Sequence, residues 1–343
     1  MIKKTVSLLV LLLLFSTVQI QNIISEEMDM KDIKEINFGI ISTESTSNLK
    51  KAWEPFLKDM EDALSIKVKA FFAGDYAGVI EAMRFNKVQV AWFGNKSAME
   101  AVDRANGEVF AQQVGLGGDP GYYSLIIAHK DNKEINTVED IIRLGKKLNF
   151  GNGDVNSTSG YLIPSYYVWA KNGINPTTYF KTARNANHEA NMMAVVMKQI
   201  DFATNNTEQW SKFEKTNPDK LKQLKIIWKS PMIPKDPMVW RKDLPRELKS
   251  SIKAFFLSYG RVGNKKEVER QKKVLAGISG GLDPFWDSSN QQLIPIRQIE
   301  AAKNIQKILN DEKYSEAEKK NKIAELNKIT KEIEEFINYL NKY

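Results

Sequence analysis

Short apolar runs alternate with amphipathic stretches through the first third of the chain. Residues 36–41 form an apolar run of strand length. Leu49, Trp53, Phe56, Leu57 and Met60 follow at helical spacing, a stripe that predicts a helix with one buried face. Residues 65–72 read as a second strand, 74–78 as a turn into a helix over 79–85, and 88–93 as a third strand ending in Gly94-Asn95 before a helix over 97–106. A β-α-β-α-β-α order of this kind predicts an open parallel sheet with covering helices.

Residues 115–121 are a glycine-rich break, and the apolar run 122–128 beyond it is expected to cross into a second lobe. There the pattern predicts a Thr-capped helix over 137–144, a strand at 147–150, a buried helix over 161–170 that Pro164 should distort, strands at 181–183, 200–206 and 224–230, and a helix opening at His188. Residues 231–240 look like the return crossing, followed by a helix over 248–259 and a helix-forming tail from 298. Two crossings between two α/β lobes place a cleft at the carboxyl ends of the strands, where open sheets of this class bind ligands. In the tail, Leu326, Ile329, Ile333, Phe336 and Leu340 are spaced as two heptads, a seam that suits packing on the same chain and a homodimer contact equally well.

The N-terminus changes the compartment. Ile2-Lys3-Lys4 and the apolar run 6–15 have the charge and length of an export leader, with the run shorter than a membrane span, so residues 1–21 are expected to direct the protein to the periplasm. Free ATP and NAD are not expected there. The sequence has no cysteine and only two histidines, His129 and His188, which excludes disulfides, thiol chemistry and a multi-histidine zinc site. The formal net charge is +8, but the lysines are dispersed among acids. That reads as a solvated surface with a weak pull on anions, with no nucleic-acid partner expected.

The stretch most suited to chemistry is Gly151-Asn152-Gly153-Asp154-Val155-Asn156-Ser157-Thr158-Ser159-Gly160. A strand, a Gly/Asn turn, three hydroxyls and a helix make an N-capped helix start, which offers backbone N–H groups and the positive end of the helix dipole. Three hydroxyls added there make a candidate anion cradle. A capped helix without a ligand fits the local pattern too. A phosphate-binding loop of Walker type lacks its lysine here, the dinucleotide fingerprint lacks its third glycine, and no G-x-S-x-G elbow is present. Tyr76, Tyr122, His188, Glu208 and Asp236 also fall at turns between elements. Each alone has an ordinary structural explanation. A hydrolytic triad of Ser157, His188 and Asp236 has neither an elbow motif nor a metal cluster behind it.

Several blocks in sequence order carry a resemblance. They are Asp75-Tyr76-Ala77-Gly78, Ala91-Trp92-Phe93-Gly94-Asn95, residues 100–107, the glycine and hydroxyl stretch, Ala203-Thr204-Asn205-Asn206-Thr207-Glu208, and residues 227–231 with 236–242. From about Asn37 to Gln298 the chain resembles the periplasmic phosphonate-binding proteins of bacterial ABC importers. The resemblance implies a type II periplasmic binding fold: α/β, two lobes around a ligand cleft, with C-terminal helices added. Lobe 1 would hold 36–122 and 237–300, lobe 2 would hold 123–236, and 301–343 would be the tail. It implies no enzyme activity, cofactor or metal, and a membrane permease with its ATPase as partner. Ser157, Thr158, Ser159, Tyr76, Tyr122 and His188 would hold a phosphonate, and Glu208 and Asp236 the ammonium of 2-aminoethylphosphonate. Phe93 stands where the family block usually has Tyr.

Overall fold

The computed structural model describes residues 30, 33–311 and 313–340, so the expected leader lies outside the described residues. Among these residues the chain forms thirteen strands: β1 (Glu35–Ile40), β2 (Lys67–Phe72), β3 (Val90–Trp92), β4 (Gly107–Gly115), β5 (Gly121–Tyr122), β6 (Ser124–His129), β7 (Asn149–Gly153), β8 (Thr182–Ala186), β9 (Phe202–Asn206), β10 (Leu224–Lys229), β11 (Ile233–Pro234), β12 (Pro237–Arg241) and β13 (Leu282–Asp287). They build two large sheets, β13-β4-β12-β3-β1-β2 and β10-β6-β9-β7-β8, and a small ribbon, β11-β5.

The two large sheets share one plan. In the first, β1 lies between β2 and β3 and runs parallel to both. In the second, β7 lies between β8 and β9 and runs parallel to both. The strand that arrives from the other lobe then inserts antiparallel beside this unit: β12 between β3 and β4, and β6 between β9 and β10. The expected parallel sheet is therefore a mixed one. The reason is the return crossing, which brings β12 back against the direction of β3. The two crossings also touch, as β5 and β11 pair antiparallel with Ile233 opposite Tyr122.

The helix Thr46–Leu64 buries Leu49, Trp53, Phe56, Leu57 and Met60, the five residues of the predicted stripe. Ser45 caps it by accepting from Asn48 N at 3.3 Å. Phe56 packs against Phe255, Phe256, Tyr259 and Phe285 with ring centroids 4.9–5.7 Å apart, which ties the first helix to the segment that follows β12. The second lobe has its own core of Phe150, Trp169, Phe180 and Phe202. These rings carry much of the burial free energy of their lobes.

The helix expected over 161–170 takes a different form. Thr158–Leu162 and Ser165–Trp169 are wide, π-type turns on either side of Pro164, and Leu162 N donates to Ser157 O, five residues back. Proline brings no N–H to a helical ladder, and such bulged turns recur at functional sites. In the tail, the helices Ile294–Leu309 and Glu316–Leu340 pack on one another within the chain. The side chains of Ile329, Ile333, Phe336 and Leu340 lie outside the described residues, so the seam's dimer reading gains nothing from the structure.

Candidate functional site

The lobes meet around a cavity. Tyr76, Tyr122, Ser157, Thr158, Ser159, His188, Glu208 and Asp236 all line it. The eight residues singled out in the sequence are thus brought together. Trp92, Glu44, Asn206, Lys212 and Ser279 line it as well.

One wall is the turn after β7. Each of its three hydroxyls accepts a hydrogen bond from the protein. Ser157 Oγ accepts from Gly160 N (3.0 Å), Thr158 Oγ1 from Lys96 N (2.8 Å) and Ser159 Oγ from Asn206 Nδ2 (3.1 Å). A hydroxyl has one hydrogen to donate and two lone pairs. With a lone pair used on each, the turn has its O–H groups left to offer; that of Ser159 also lies 3.5 Å from His188 Nε2, and Ser157 shares a hydrogen bond with Tyr76. Lys96 begins a helix of the other lobe, so the Thr158 bond also joins the two lobes.

His188 adds a fourth donor. Asn206 Oδ1 accepts from Gln209 N at 2.7 Å, which fixes the amide with Nδ2 toward His188 Nε2 at 3.3 Å. Nε2 therefore accepts, and the proton of the neutral ring sits on Nδ1. Nδ1 is buried and has no partner in the protein. Burial pulls the imidazole pKa down to about 4, so the ring is neutral at pH 7. The Tyr76 hydroxyl is hydrogen-bonded with Ser157, and burial raises its pKa well above 10, so it stays a donor.

The opposite character appears at Asp236, the residue just before β12. Its Oδ1 accepts from Tyr122 OH and its Oδ2 from Trp92 Nε1, both at 3.1 Å. Burial, and then the neighbouring Glu208, push its pKa well above the usual carboxylate range. Glu208 Oε1 accepts from Lys235 Nζ at 2.6 Å, with both side chains nearly buried. Tyr122, expected among the anion's donors, directs its hydroxyl to Asp236. The hydrolytic triad is not assembled: Ser157 Oγ is bonded to Gly160 N, and the ring of His188 contacts Ser159 and Asn206.

Further bonds clasp the lobes beside the cavity. Glu189 accepts from Ser45 N (2.8 Å) and Asn48 Nδ2 (2.9 Å), Asp154 accepts from Tyr76 N (3.2 Å), and Lys212 Nζ lies 2.5 Å from Glu44. Sequence reading missed the Glu44–Lys212 and Glu208–Lys235 pairs. The partners are 168 and 27 residues apart, beyond the reach of any local pattern.

The matched sheet plans, the paired crossings and the interlobe cavity define a type II periplasmic binding protein. A family model for the periplasmic substrate-binding protein of phosphonate ABC transporters matches residues 38–293. The phosphonates-binding periplasmic protein of Escherichia coli K12 is 53% identical over 293 residues, 85% of this chain and 84% of that protein. A probable phosphite-binding protein of an ABC transporter from Prochlorococcus marinus is 27% identical over 58% of this chain and 67% of its own length. The crystal structure of a binding component of an ABC phosphonate transporter from Pseudomonas aeruginosa is 51% identical, with a TM-score of 0.85 over 90% of this chain and 100% of that one. The chain therefore belongs to the family of periplasmic substrate-binding proteins of phosphonate ABC transporters. Its members bind solutes and are not enzymes. A small-molecule ligand and a transporter permease are its partners.

Proposed function

We propose that the cavity captures a phosphonate carrying an ammonium group, with 2-aminoethylphosphonate the best fit, and that the closed form delivers it to the permease. Ser157, Thr158, Ser159, Tyr76 and His188 would hold the phosphonate oxygens. Glu208 and Asp236 would accept the ammonium, with Tyr122 and Trp92 orienting Asp236. Residues 1–21 would serve as the export leader, and the lobes would divide near 122 and 236, where the crossings run.

The observation that carries this reading is the polarity of the cavity. One wall offers hydroxyl donors and the unpartnered Nδ1 of His188, and the other holds two carboxylates, one of them paired with a lysine. Hydrogen bonds to charged groups contribute about 1.5–3 kcal/mol each. Half a dozen would offset an association cost of about 4–15 kcal/mol. Phosphite or phosphate would satisfy the donor wall but leave the acid wall without a counter-charge, and a second anionic oxygen turned toward Asp236 would be repelled.

Isothermal titration of ligand-stripped protein with 2-aminoethylphosphonate, ethylphosphonate and phosphate tests the assignment. In the Glu208→Gln/Asp236→Asn double variant, 2-aminoethylphosphonate should lose most of its affinity and ethylphosphonate should keep its own. Equal weakening of both would remove the ammonium role from the two acids, and wild-type protein that prefers phosphate would move the substrate to another oxyanion.

A further inference from the structure

Ser279 lies in the loop between the helix Lys265–Ala276 and β13, where no sequence motif drew attention to it. It lines the cavity. Its Oγ is buried and has no hydrogen-bond partner. Its backbone is left-handed, at φ 45°, and Gly280 (φ 80°) and Gly281 (φ 122°) continue with positive φ. A non-glycine residue in that region is strained, and such strain gathers at sites where the surroundings dictate the conformation. Here the loop is pressed on the helix start that carries Glu208. A Cβ placed on Gly280 would stand 2.8 Å from Glu208 O, and Lys215 Nζ donates to Gly280 O at 3.0 Å.

The acceptors at the acid wall can be counted. A primary ammonium has three N–H donors. Glu208 already gives Oε1 to Lys235, and each oxygen of Asp236 already accepts one bond. The two carboxylates keep free lone pairs, but the three N–H bonds of an ammonium diverge tetrahedrally, so acceptors on one side of it leave the N–H on the other side for a group on the facing loop. The hydroxyl oxygen of Ser279 has two lone pairs with no use in the protein. It is neutral, so it adds an acceptor without adding charge to a wall where two buried acids already repel one another.

We propose that Ser279 Oγ is the third acceptor for the ligand's ammonium, which makes Ser279 a specificity-determining residue for phosphonates bearing a primary amine. The inference rests on the amine reading above and deepens it. Because the loop belongs to the first lobe and Glu208 to the second, the same bond holds the amine across the closed cleft.

The test uses Ser279→Ala and Ser279→Gly, titrated with 2-aminoethylphosphonate and ethylphosphonate. Removing one charge-assisted hydrogen bond should weaken 2-aminoethylphosphonate about tenfold or more in both variants and leave ethylphosphonate within about twofold. Glycine relieves the left-handed backbone, so a loss in Ser279→Gly with an unchanged or raised melting temperature comes from the hydroxyl and not from the fold. If both variants keep the wild-type ratio of the two affinities, or weaken both ligands equally, Ser279 is not the amine's acceptor. Wild-type protein that fails to distinguish the two ligands would overturn the amine reading and this inference with it. Discrimination kept in both variants sinks the Ser279 inference alone.

Discussion

Gly153 is where β7 packs directly on the backbone of the turn that carries the donor wall. A Cβ built there would stand 2.4–2.5 Å from the carbonyl carbon, Cα and oxygen of Gly160. These are backbone atoms inside a packed lobe, where an ordinary contact is at least 3.4 Å. Gly153→Ala must therefore separate β7 from the hydroxyl turn by about 1 Å, at a packing cost of about 1–3 kcal/mol. Gly160 cannot move alone: its N–H is held by Ser157 Oγ and its carbonyl accepts from Thr204 Oγ1 at 2.7 Å. The turn carrying Ser157, Thr158 and Ser159 moves with it. A hydrogen bond stretched by about 1 Å from the usual 2.8–3.0 Å is effectively lost. Losing one or two bonds to a dianion, each contributing about 1.5–3 kcal/mol, weakens binding by about tenfold to about ten-thousandfold. Titration calorimetry on Gly153→Ala, with a thermal melt to confirm the fold, should show 2-aminoethylphosphonate and ethylphosphonate weakened by the same factor. The anion end is common to both ligands. A folded Gly153→Ala protein that binds ethylphosphonate at wild-type affinity would refute the claim that this turn holds the phosphonate.

Three further outcomes follow from the buried charges. The folded pKa of His188 is about 4 against 6.5 for a free imidazole, so the folded state binds fewer protons between those values. Its contribution, about 3 kcal/mol, is fully present above pH 6.5 and is lost as pH falls toward 4. Urea unfolding of ligand-free protein should show that loss, and His188→Gln should flatten it. Asp236 has its pKa raised by burial and then by Glu208, so any proton it holds in the empty site should be lost when an ammonium arrives. Titrations in buffers of different ionisation enthalpy should then report more proton release with 2-aminoethylphosphonate than with ethylphosphonate, and the difference should vanish in Asp236→Asn. Lys212→Met leaves the nearly buried Glu44 unpaired across the lobes, at a cost of about 3–5 kcal/mol to the closed form. It should weaken all phosphonates alike by about tenfold or more and expand the ligand-bound protein in solution scattering, with Glu44→Gln on top restoring part of both.

The legible parts of this fold are those whose residues speak locally. The stripe in Thr46–Leu64, the Thr137 cap and the hydroxyls at Ser157–Ser159 each follow from period or capping chemistry, and the structure places them so. The strands β4 and β13 went unread for physical reasons. β4 is buried on both faces, so it shows no alternation, and the fully buried Gln113 interrupts its apolar run. β13 contains Pro284 and a register shift, features that sheets accept at an edge, where it lies. At the site, residue types and turns grouped the candidates, and the family resemblance supplied their roles. Ser279 and Lys235 had no pattern to show them, because their meaning depends on what a distant loop or helix places beside them.

The distribution of the site over the chain explains why binding should drive closure. The donor wall comes from the second lobe, in Ser157, Thr158, Ser159 and His188, but Thr158 is completed by Lys96 N of the first lobe, and Tyr76 reaches Ser157 from there too. Asp236 and Tyr122 stand on the two crossings, and Lys235, beside Asp236, forms an ion pair with Glu208 of the second lobe. No lobe holds the full set alone. A ligand therefore gains its last hydrogen bonds only when the lobes meet, which is the differential affinity that a shift toward the closed form requires. Lys235 limits the cost of that arrangement: it keeps Glu208 paired in the empty site, so the ligand's single ammonium has one unbalanced carboxylate to answer, not two. A monocationic amine joined to a phosphonate matches that charge count.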